Sequence, residues 1–235
     1  MSFNKIGTYT PDDPVARGST RSPDCVDCPT MSKPTPGGPS RARDVDRRIT
    51  RLLRHEGGHL PMDAAGWVPV DLILRRFGLD RPTLEALVAS NNKQRLQLDG
   101  ERIRCCQGHS TQGMPVTCDA LEASWTAWPG PEILWHGTSL AALEAIDLQG
   151  LLPQARTHVH LAEATNSTVG KRAQVDVLLA VDPTRLAGHG LGVWRAPNGV
   201  LLVRRVPRDA IVGIRPATRA VEAQRAELTR RFGAA

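Results

Sequence analysis

The chain has 235 residues, of which 30 are Lys or Arg and 24 are Asp or Glu, so its formal charge is +6 and nearly all of its cations are arginines. This excess indicates an anionic partner, because a guanidinium group binds phosphate through paired hydrogen bonds, although an Arg-rich composition alone would give the same balance. No apolar stretch reaches the roughly 20 residues of a membrane span, and no signal-peptide core is present, so we expect a cytoplasmic protein. The five cysteines are irregularly spaced and form no disulfide pattern, so we expect reduced thiols.

Residues 1–43 are rich in Pro, Gly, Ser, Thr and Asp and show neither helical nor strand periodicity. Such a segment cannot bury enough apolar surface to offset the entropy of ordering it, so we predict a disordered arm. Cys25 and Cys28 have the spacing of a zinc-ligand pair, but no second pair follows at matching spacing, and we attribute the spacing to chance. Met31 is an alternative start of the chain.

An amphipathic helix is predicted from residue 44 onward. Three apolar residues share one side of it, namely Ile49, Leu52 and Leu53. The other side carries a basic stripe of Arg47, Arg51, Arg54 and His55. Two glycines, at 57 and 58, directly follow this stripe and are expected to end the helix.

A short strand at 66–70 and two more helices follow. Asp71 is well placed to cap a helix that turns Ile73 and Phe77 inward, and Asp80 to cap a third helix that buries Leu84.

The segment 95–104 then predicts a β-hairpin with a two-residue turn at Asp99 and Gly100. This register places Arg95 opposite Arg104 on a cationic face. Two facing arginines would hold an anion between them, or they would splay into water. Helices followed by a hairpin predict a winged-helix lobe over residues 44–110.

Residues 111–131 lose periodicity, contain several Pro and Gly residues and are predicted to be a linker. The range 132–216 follows as a strand-rich lobe. Strands are predicted at 133–136, 157–161, 175–181, 193–195, 199–203 and 210–214. Ser139 is expected to cap a helix that ends at Gly150, and 217–235 to form a terminal tail or helix. The fold class predicted for the whole chain is α+β.

Two segments of this second lobe are candidates for ligand binding. Arg156, His158 and His160 alternate along a strand and so project from one face, but no further ligand completes a metal site, and we predict none. The segment HGTS at 136–139 closes a strand and opens a helix, where a helix N-terminus attracts phosphate. A purely structural turn would have the same sequence.

Seven short motifs, in order, resemble the NAD-dependent RNA 2′-phosphotransferase family over residues 45 to about 215. They are LLRH (52–55), GWVPV (66–70), KQRL (93–96), QGHS (107–110), HGTS (136–139), RTHVHL (156–161) and WRAPNGV (194–200). The chain departs from the family pattern at DRR (46–48), where SerLys is common, at Leu96 in place of an aromatic residue, and at Cys106 in place of a polar one. These departures bear on affinity and substrate range more than on reaction type.

The resemblance implies a winged-helix RNA lobe joined to a lobe of the ADP-ribosyltransferase kind, with NAD as co-substrate in the cleft and no metal. Its catalytic positions fall on Arg54, His55, Arg95 and Arg156. The NAD-binding positions fall on His136, Gly137, Thr138, Ser139, His160 and Asn198. The positions that contact RNA or phosphate fall on Arg51, Arg104, Gln107, His109 and Ser110.

The implied reaction has two steps. The RNA 2′-phosphate displaces nicotinamide from NAD to give a 2′-phospho-ADP-ribosyl RNA, and a ribose hydroxyl then attacks the phosphorus. The products are RNA with a 2′-hydroxyl and ADP-ribose 1″,2″-cyclic phosphate. Because the phosphate is already an anionic nucleophile, we expect Arg54 to grip it in both steps and Arg95, Arg156 and His55 to act mainly in the second.

The resemblance also bears on the partner and the setting. We expect a monomer that acts on an RNA carrying a 2′-phosphate, such as a tRNA after splicing or an RNA under repair. One alternative is an ADP-ribosyltransferase that modifies terminal phosphates of RNA or DNA and stops after the first step. Another is a non-catalytic winged-helix nucleic-acid binder that senses NAD.

Overall fold

A computed structural model describes residues 39–91, 93–166 and 175–235, with side chains from residue 42 onward. Most of the arm predicted at 1–43, including Cys25, Cys28 and Met31, therefore lies outside the described residues. Residues 39–43 are an exception, because they already belong to the first helix. No helix in the described ranges is long and apolar enough to cross a membrane.

The first helix, α1 (Pro39–Arg51), continues into a single π-helical turn at Leu52–Glu56 and a 3₁₀ turn at Gly57–His59. Its predicted apolar face is confirmed, because Ile49, Leu52 and Leu53 are all buried. π-Helical turns insert one extra residue and often lie at functional sites. Here the π-turn contains the LLRH motif.

The next elements are strand β1 (Val68–Pro69), helix α2 (Val70–Phe77) and helix α3 (Arg81–Ser90). The cap predicted at Asp80 is confirmed, since its Oδ1 accepts a hydrogen bond from the Thr83 backbone N–H at 2.9 Å. The cap predicted at Asp71 is wrong. Helix α2 begins one residue earlier, directly after Pro69, and Asp71 lies in its first turn without capping it.

The hairpin consists of β2 (Leu96–Asp99) and β3 (Arg102–Cys105), and β1 pairs with β3 to complete an antiparallel sheet. Its turn is Gly100–Glu101, one residue later than predicted. Gly100 has φ +55°, and a glycine at the first turn position suits a hairpin turn. The pairing consequently shifts by two residues, so Arg104 faces Gln97 and the predicted Arg95–Arg104 pair is wrong.

The segment predicted as a linker, 111–131, contains regular structure. Helix α4 (Cys118–Ala123) is capped by Thr117, whose Oγ1 accepts the Ala120 N–H. Strand β4 (Thr126–Ala127) then pairs with a strand from much later in the chain. This segment carries no periodicity because each of its elements is shorter than two helical turns or three strand residues.

The remaining elements confirm most of the strands predicted for the second lobe. They are β5 (Leu134–Thr138), α5 (Leu143–Gln149), β6 (Val159–Leu161), β7 (Val177–Val181), α6 (Pro183–Gly188), β8 (Trp194–Arg195), β9 (Leu201–Val203), β10 (Ile211–Pro216), α7 (Arg219–Glu222) and α8 (Arg225–Phe232). The sequence pattern does not predict α6. Two antiparallel sheets result, with strand orders β10–β7–β5 and β4–β8–β9–β6. The fold is mixed helix and sheet, which confirms the α+β prediction.

Two apolar clusters form the core of the described residues. One lies between β5, β7, β10 and the helices that pack on them. The other gathers the apolar side chains of α1–α4 and the hairpin sheet, and it also includes Ala196, Val200 and Leu202 from the later strands. Side chains from both halves of the sequence therefore share a core next to the motifs singled out above.

The contrast between the two helix starts gives a prediction. Asp80→Ala removes a side-chain acceptor from an otherwise unpaired backbone N–H and should lower the melting temperature by about 2–4 °C. Asp71→Ala is the matched control, because it removes an exposed first-turn carboxylate that caps nothing and pairs only loosely with Arg75, and it should lower the melting temperature by only about 1 °C. Equal effects of the two substitutions would contradict the assignment of the caps.

Candidate active site

A cavity of about 490 Å³ collects most of the residues that the sequence singles out. Its cationic lining comes from Arg54, Lys93, Arg95 and Arg156. Its other polar lining comes from Gln107, His136, Gln154, His158, His160 and Asn198. No carboxylate among the described residues lines it, so its chemistry suits a ligand with several negative charges.

Arg54 lies in the π-turn, and the hydrogen bonding of its guanidinium group is incomplete. Its Nε and Nη2 atoms are buried and have no hydrogen-bond partner among the described residues. Gly108, at φ +86°, packs its backbone against the guanidinium, and a Cβ atom there would lie 3.2 Å from Arg54 Cζ. Two buried N–H donor atoms without a partner are costly to the fold, so this half-buried side chain at the cavity favours a ligand with acceptor oxygens.

Arg95 reaches the cavity from the turn between α3 and β2. Its Nη1 lies 4.0 Å from Oδ2 of Asp46, and Oδ1 of Asp46 accepts a hydrogen bond from Asn91 Nδ2 at 2.6 Å. Gln94, immediately before Arg95, has φ +42°, which is rare for a residue other than glycine. The backbone N–H of Cys106 donates to the Arg95 carbonyl. These contacts fix the backbone position from which the Arg95 side chain enters the cavity.

The QGHS segment connects the two halves of the site. Ser110 pairs with Arg156 in an isolated antiparallel bridge, and its backbone N–H donates to the Arg54 carbonyl at 2.9 Å. Its Oγ lies 2.8 Å from Nδ1 of His55. His55 does not line the cavity itself. Burial, followed by the charges of Arg54 and Arg156, lowers the pKa of its ring below the usual value.

Two histidines face the cavity from neighbouring strands. His136 Nδ1 lies 2.9 Å from the His160 carbonyl oxygen, so that nitrogen carries the proton and donates. His160 Nε2 lies 2.7 Å from Oε1 of Gln107. Burial lowers the pKa of His160 to about 3, so the ring is neutral at neutral pH and its Nε2–H donates to Gln107.

Asn198 lies in the WRAPNGV turn and closes one side of the cavity. Its Nδ2 donates to the Lys93 carbonyl at 3.3 Å, which connects this turn to the KQRL turn. Its Oδ1 is buried and has no partner in the part of the chain that the structure describes. An acceptor in this state is suited to a donor group on a ligand.

Other predicted site residues lie away from the cavity. Thr138 and Ser139 follow Gly137 without lining it, and the cap predicted at Ser139 is wrong, because Oδ2 of Asp176 accepts the Leu140 N–H instead. Arg51 is exposed and pairs with Glu56.

Arg104 is a buried residue whose guanidinium group is hydrogen-bonded to other parts of the protein. It is 2 % exposed, its Nε donates to Gln97 and its Nη1 donates to Ala65 O and Ser124 Oγ. Its guanidinium also stacks 4.4 Å from the centre of the Trp67 ring. These contacts exclude both alternatives considered for Arg104, because it neither shares an anion with Arg95 nor extends into water.

His109 is fully buried behind the cavity wall, although it was predicted to contact the phosphate. Neither ring nitrogen has a partner among the described residues. Burial, followed by the charge of Arg54, lowers the pKa of His109 to about 3.

Sequence reasoning missed several cavity residues. Lys93 could have been found, since it is a cation two positions before Arg95 in the same motif. The wall formed by Leu152, Pro153 and Ala155 carries no sequence signal, because short apolar residues in a loop predict no function. Within 39–91, 93–166 and 175–235, no group of three or more His, Cys, Asp or Glu side chains is placed to hold a metal ion.

Comparison with known proteins gives one consistent result. Residues 40–205 match the model of the family described as "RNA 2′-phosphotransferase, Tpt1 / KptA family". A protein of Burkholderia lata named probable RNA 2′-phosphotransferase is 40% identical over 179 residues, covering 72% of this chain and 89% of that protein. Proteins of the same name from Pseudomonas savastanoi pv. phaseolicola and Escherichia coli K12 are 37% and 34% identical, covering 73% and 69% of this chain and 94% and 91% of theirs.

The unsatisfied N–H groups of Arg54 predict that this side chain lowers the stability of the free protein and strengthens its binding of phosphate. Arg54→Met keeps the packing of the side-chain stem and removes the two unsatisfied buried N–H donor atoms, so the free energy of unfolding in phosphate-free buffer should rise by about 1 kcal/mol. Inorganic phosphate should raise the melting temperature of the unsubstituted protein and not that of the variant. Arg51→Met, on the exposed side of the same helix, is the control and should be neutral in both assays. A variant that is less stable than the unsubstituted protein without phosphate would contradict this reading.

The two histidines whose pKa is lowered furthest, His109 and His160, predict acid sensitivity. Because their pKa values are about 3 in the folded protein and about 6.5 when unfolded, the unfolded chain binds more protons below pH 6.5. Stability should be constant above that pH and fall toward pH 3 by about 1.4 kcal/mol per pH unit for each histidine. Urea unfolding at several pH values measures the slope, and His160→Gln should remove one of the two contributions. Identical slopes with and without His160 would refute the assignment.

Proposed function

Because the chain belongs to the RNA 2′-phosphotransferase family, we propose that it transfers an internal RNA 2′-phosphate to ADP-ribose, with NAD as co-substrate. The products would be RNA with a free 2′-hydroxyl, nicotinamide and ADP-ribose 1″,2″-cyclic phosphate. The observation that carries this proposal is that Arg54, Arg95 and Arg156 line one cavity, in which Arg54 has buried, unpartnered N–H groups.

The two halves of the sequence would divide the substrates between them. We assign RNA to residues 44–110 as a winged-helix lobe, and NAD to 132–216 as an ADP-ribosyltransferase-like lobe. In support, helices α1–α3 precede the hairpin sheet in the order of a winged helix, and Arg54 and Arg95 come from this range. Arg156, His136 and Asn198 come from the second range.

On the phosphate side, the chain has little acid–base chemistry to perform in the first step. The 2′-phosphate is already charged, so the task is to hold its oxygens in line with the carbon under attack. Arg54 is the residue best suited to this grip, because it lines the cavity and its Nε and Nη2 have no hydrogen-bond partner among the described residues. Lys93 adds a flexible positive charge at the rim.

The remaining lining fits a dinucleotide. Asn198 offers a buried oxygen without a partner among the described residues, and the neutral His160–Gln107 pair and His136 offer oriented polar groups. The apolar wall of Leu152, Pro153 and Ala155 suits a ring or a sugar face. NAD would supply the electrophilic ribose carbon and the hydroxyl that later releases the phosphate. Roles for Thr138 and Ser139 stay predictions.

In the second step, negative charge grows on the phosphoryl oxygens, and cations already in place stabilise it. We assign this task mainly to Arg95, Arg156 and His55. Ser110 would hold His55 and Arg156 in a fixed position relative to each other, since it touches His55 through its hydroxyl and pairs with Arg156 through its backbone. A transient ADP-ribosylated RNA 2′-phosphate lies between the two steps.

The proposal is tested with purified protein, NAD and a short end-labelled RNA that carries one internal 2′-phosphate. We expect dephosphorylated RNA and cyclic phosphate from the unsubstituted protein. Arg95→Ala and Arg156→Ala should slow product release by about 100-fold or more and accumulate ADP-ribosylated RNA. Arg75→Ala, an exposed arginine of α2, is the control and should behave like the unsubstituted protein.

Three outcomes would contradict the proposal. Loss of the first step alone in both variants would refute the division of labour. ADP-ribosylation of a terminal phosphate without any cyclic phosphate would indicate the terminal-phosphate activity instead. NAD binding without turnover of any RNA would indicate a sensor.

A further inference from the structure

His158 is buried in the cavity wall, between the predicted residues Arg156 and His160. It is 1 % exposed, lines the cavity and meets the Trp125 ring edge-on at 5.0 Å between ring centres. Its Nε2 lies 3.0 Å from Oε1 of Glu122, a carboxylate on α4. This contact leads away from the cavity, toward the protein surface.

Glu122 is held as an anion by a second contact. The Arg204 guanidinium donates from Nε to Oε1 at 2.8 Å and from Nη2 to Oε2 at 2.6 Å, and it also pairs with the exposed Asp119. Burial raises the pKa of Glu122, but the hydrogen bonds from Arg204 and His158 outweigh it, so the pKa lies below its usual value. An ionised carboxylate only accepts hydrogen bonds, so Nε2 of His158 must carry the proton.

The other ring nitrogen is therefore defined as well. Burial lowers the pKa of His158 by more than Glu122 raises it, so the ring is neutral at neutral pH. In a neutral ring with a proton on Nε2, Nδ1 carries a lone pair and can only accept. This Nδ1 is buried and has no partner among the described residues. A buried acceptor without a partner lowers stability, which makes it rare unless a ligand completes it.

We propose that Nδ1 of His158 binds a ribose hydroxyl of the dinucleotide co-substrate, with Glu122 and Arg204 acting as positioning residues that fix the ring and its tautomer. This inference rests on the proposed function. The lone pair decides the ligand chemistry, because phosphate oxygens are acceptors and would be repelled, whereas a sugar hydroxyl donates. The cations of the cavity would bind the phosphate groups of the dinucleotide, but they cannot accept a hydrogen bond from a hydroxyl. His158 supplies that acceptor.

Two substitutions separate binding from a structural role, because each keeps one half of the imidazole. His158→Gln retains a donor near the position of Nε2 for Glu122 and loses the acceptor. His158→Asn retains an acceptor near the position of Nδ1 and loses the reach to Glu122. We expect calorimetry to show that His158→Gln weakens NAD and ADP-ribose binding by about 10-fold or more, and that His158→Asn binds both within about 3-fold of the unsubstituted protein.

A purely structural histidine predicts the reverse order, with near-normal binding by His158→Gln, and this result would overturn the proposal. ADP-ribose lacks nicotinamide, so a loss confined to NAD would mean that the donor is the carboxamide and would also overturn it. Asp119→Asn is the control, since it touches Arg204 but neither Glu122 nor His158, and it should bind normally. If the unsubstituted protein binds neither NAD nor ADP-ribose, the proposed function itself is wrong. This outcome differs from a change of binding that is seen only in the His158 variants.

A measurement without any substitution covers the case in which the variants do not fold. Nitrogen NMR of the protein labelled with ¹⁵N-histidine should show an unprotonated Nδ1 and a protonated Nε2 for His158. Saturation with ADP-ribose should shift the Nδ1 signal in the direction of a newly accepted hydrogen bond and leave the tautomer unchanged. A protonated Nδ1 in the free protein, or a signal that ADP-ribose does not move, would contradict the proposal.

Discussion

The feature on which the rest of the site depends is a half-buried guanidinium with two N–H donor atoms that the fold leaves unsatisfied. Arg54 Nε and Nη2 have no partner in the described part of the chain, and no carboxylate there lines the cavity beside them. Two buried donors without a partner oppose folding, so the apolar packing of the same helix, through Ile49 and Leu53, has to outweigh them. An anionic ligand would satisfy these donors, as the proposed function requires.

The surrounding structure keeps this arrangement in place without supplying the missing charge. Ser110 connects the end of α1 to Arg156, the turn before β2 delivers Arg95, and Asn198 ties the WRAPNGV turn to that same turn. Of the carboxylates near the site, Asp46 lies 4.0 Å from Arg95 Nη1, while Glu122 has its partners outside the cavity. Glu122, for example, is saturated by Arg204 and His158 and keeps its charge behind the wall. The cavity can stay cationic because the nearby ion pair, Arg95–Asp46, leaves Arg54 Nε and Nη2 without a partner among the described residues and because Glu122 is paired with Arg204 behind the wall.

Much of this could be predicted from the sequence, because it rests on local patterns. The apolar face of α1 repeats at helical spacing and places Arg54 at its end, the Asp80 cap has a short-range signature, and the strands of the second half alternate clearly. The hairpin register could not be fixed, since Asp99–Gly100 and Gly100–Glu101 are both acceptable turns and the choice moves Arg104 away from Arg95. The role of Arg104 and the Glu122–His158 contact depend on residues far apart in the chain, and no local pattern encodes them.

The central claim is that Arg54 and Arg156, from opposite halves of the sequence, close on one phosphoryl group. A double-mutant cycle tests it directly, with Arg54→Ala, Arg156→Ala and the double variant titrated against a dinucleotide that carries a single 2′-phosphate. Because each guanidinium orients the oxygens that the other binds, the double variant should lose at least about 1 kcal/mol less binding free energy than the sum of the single losses. Strictly additive losses would show that the two arginines act on separate groups and would contradict the claim.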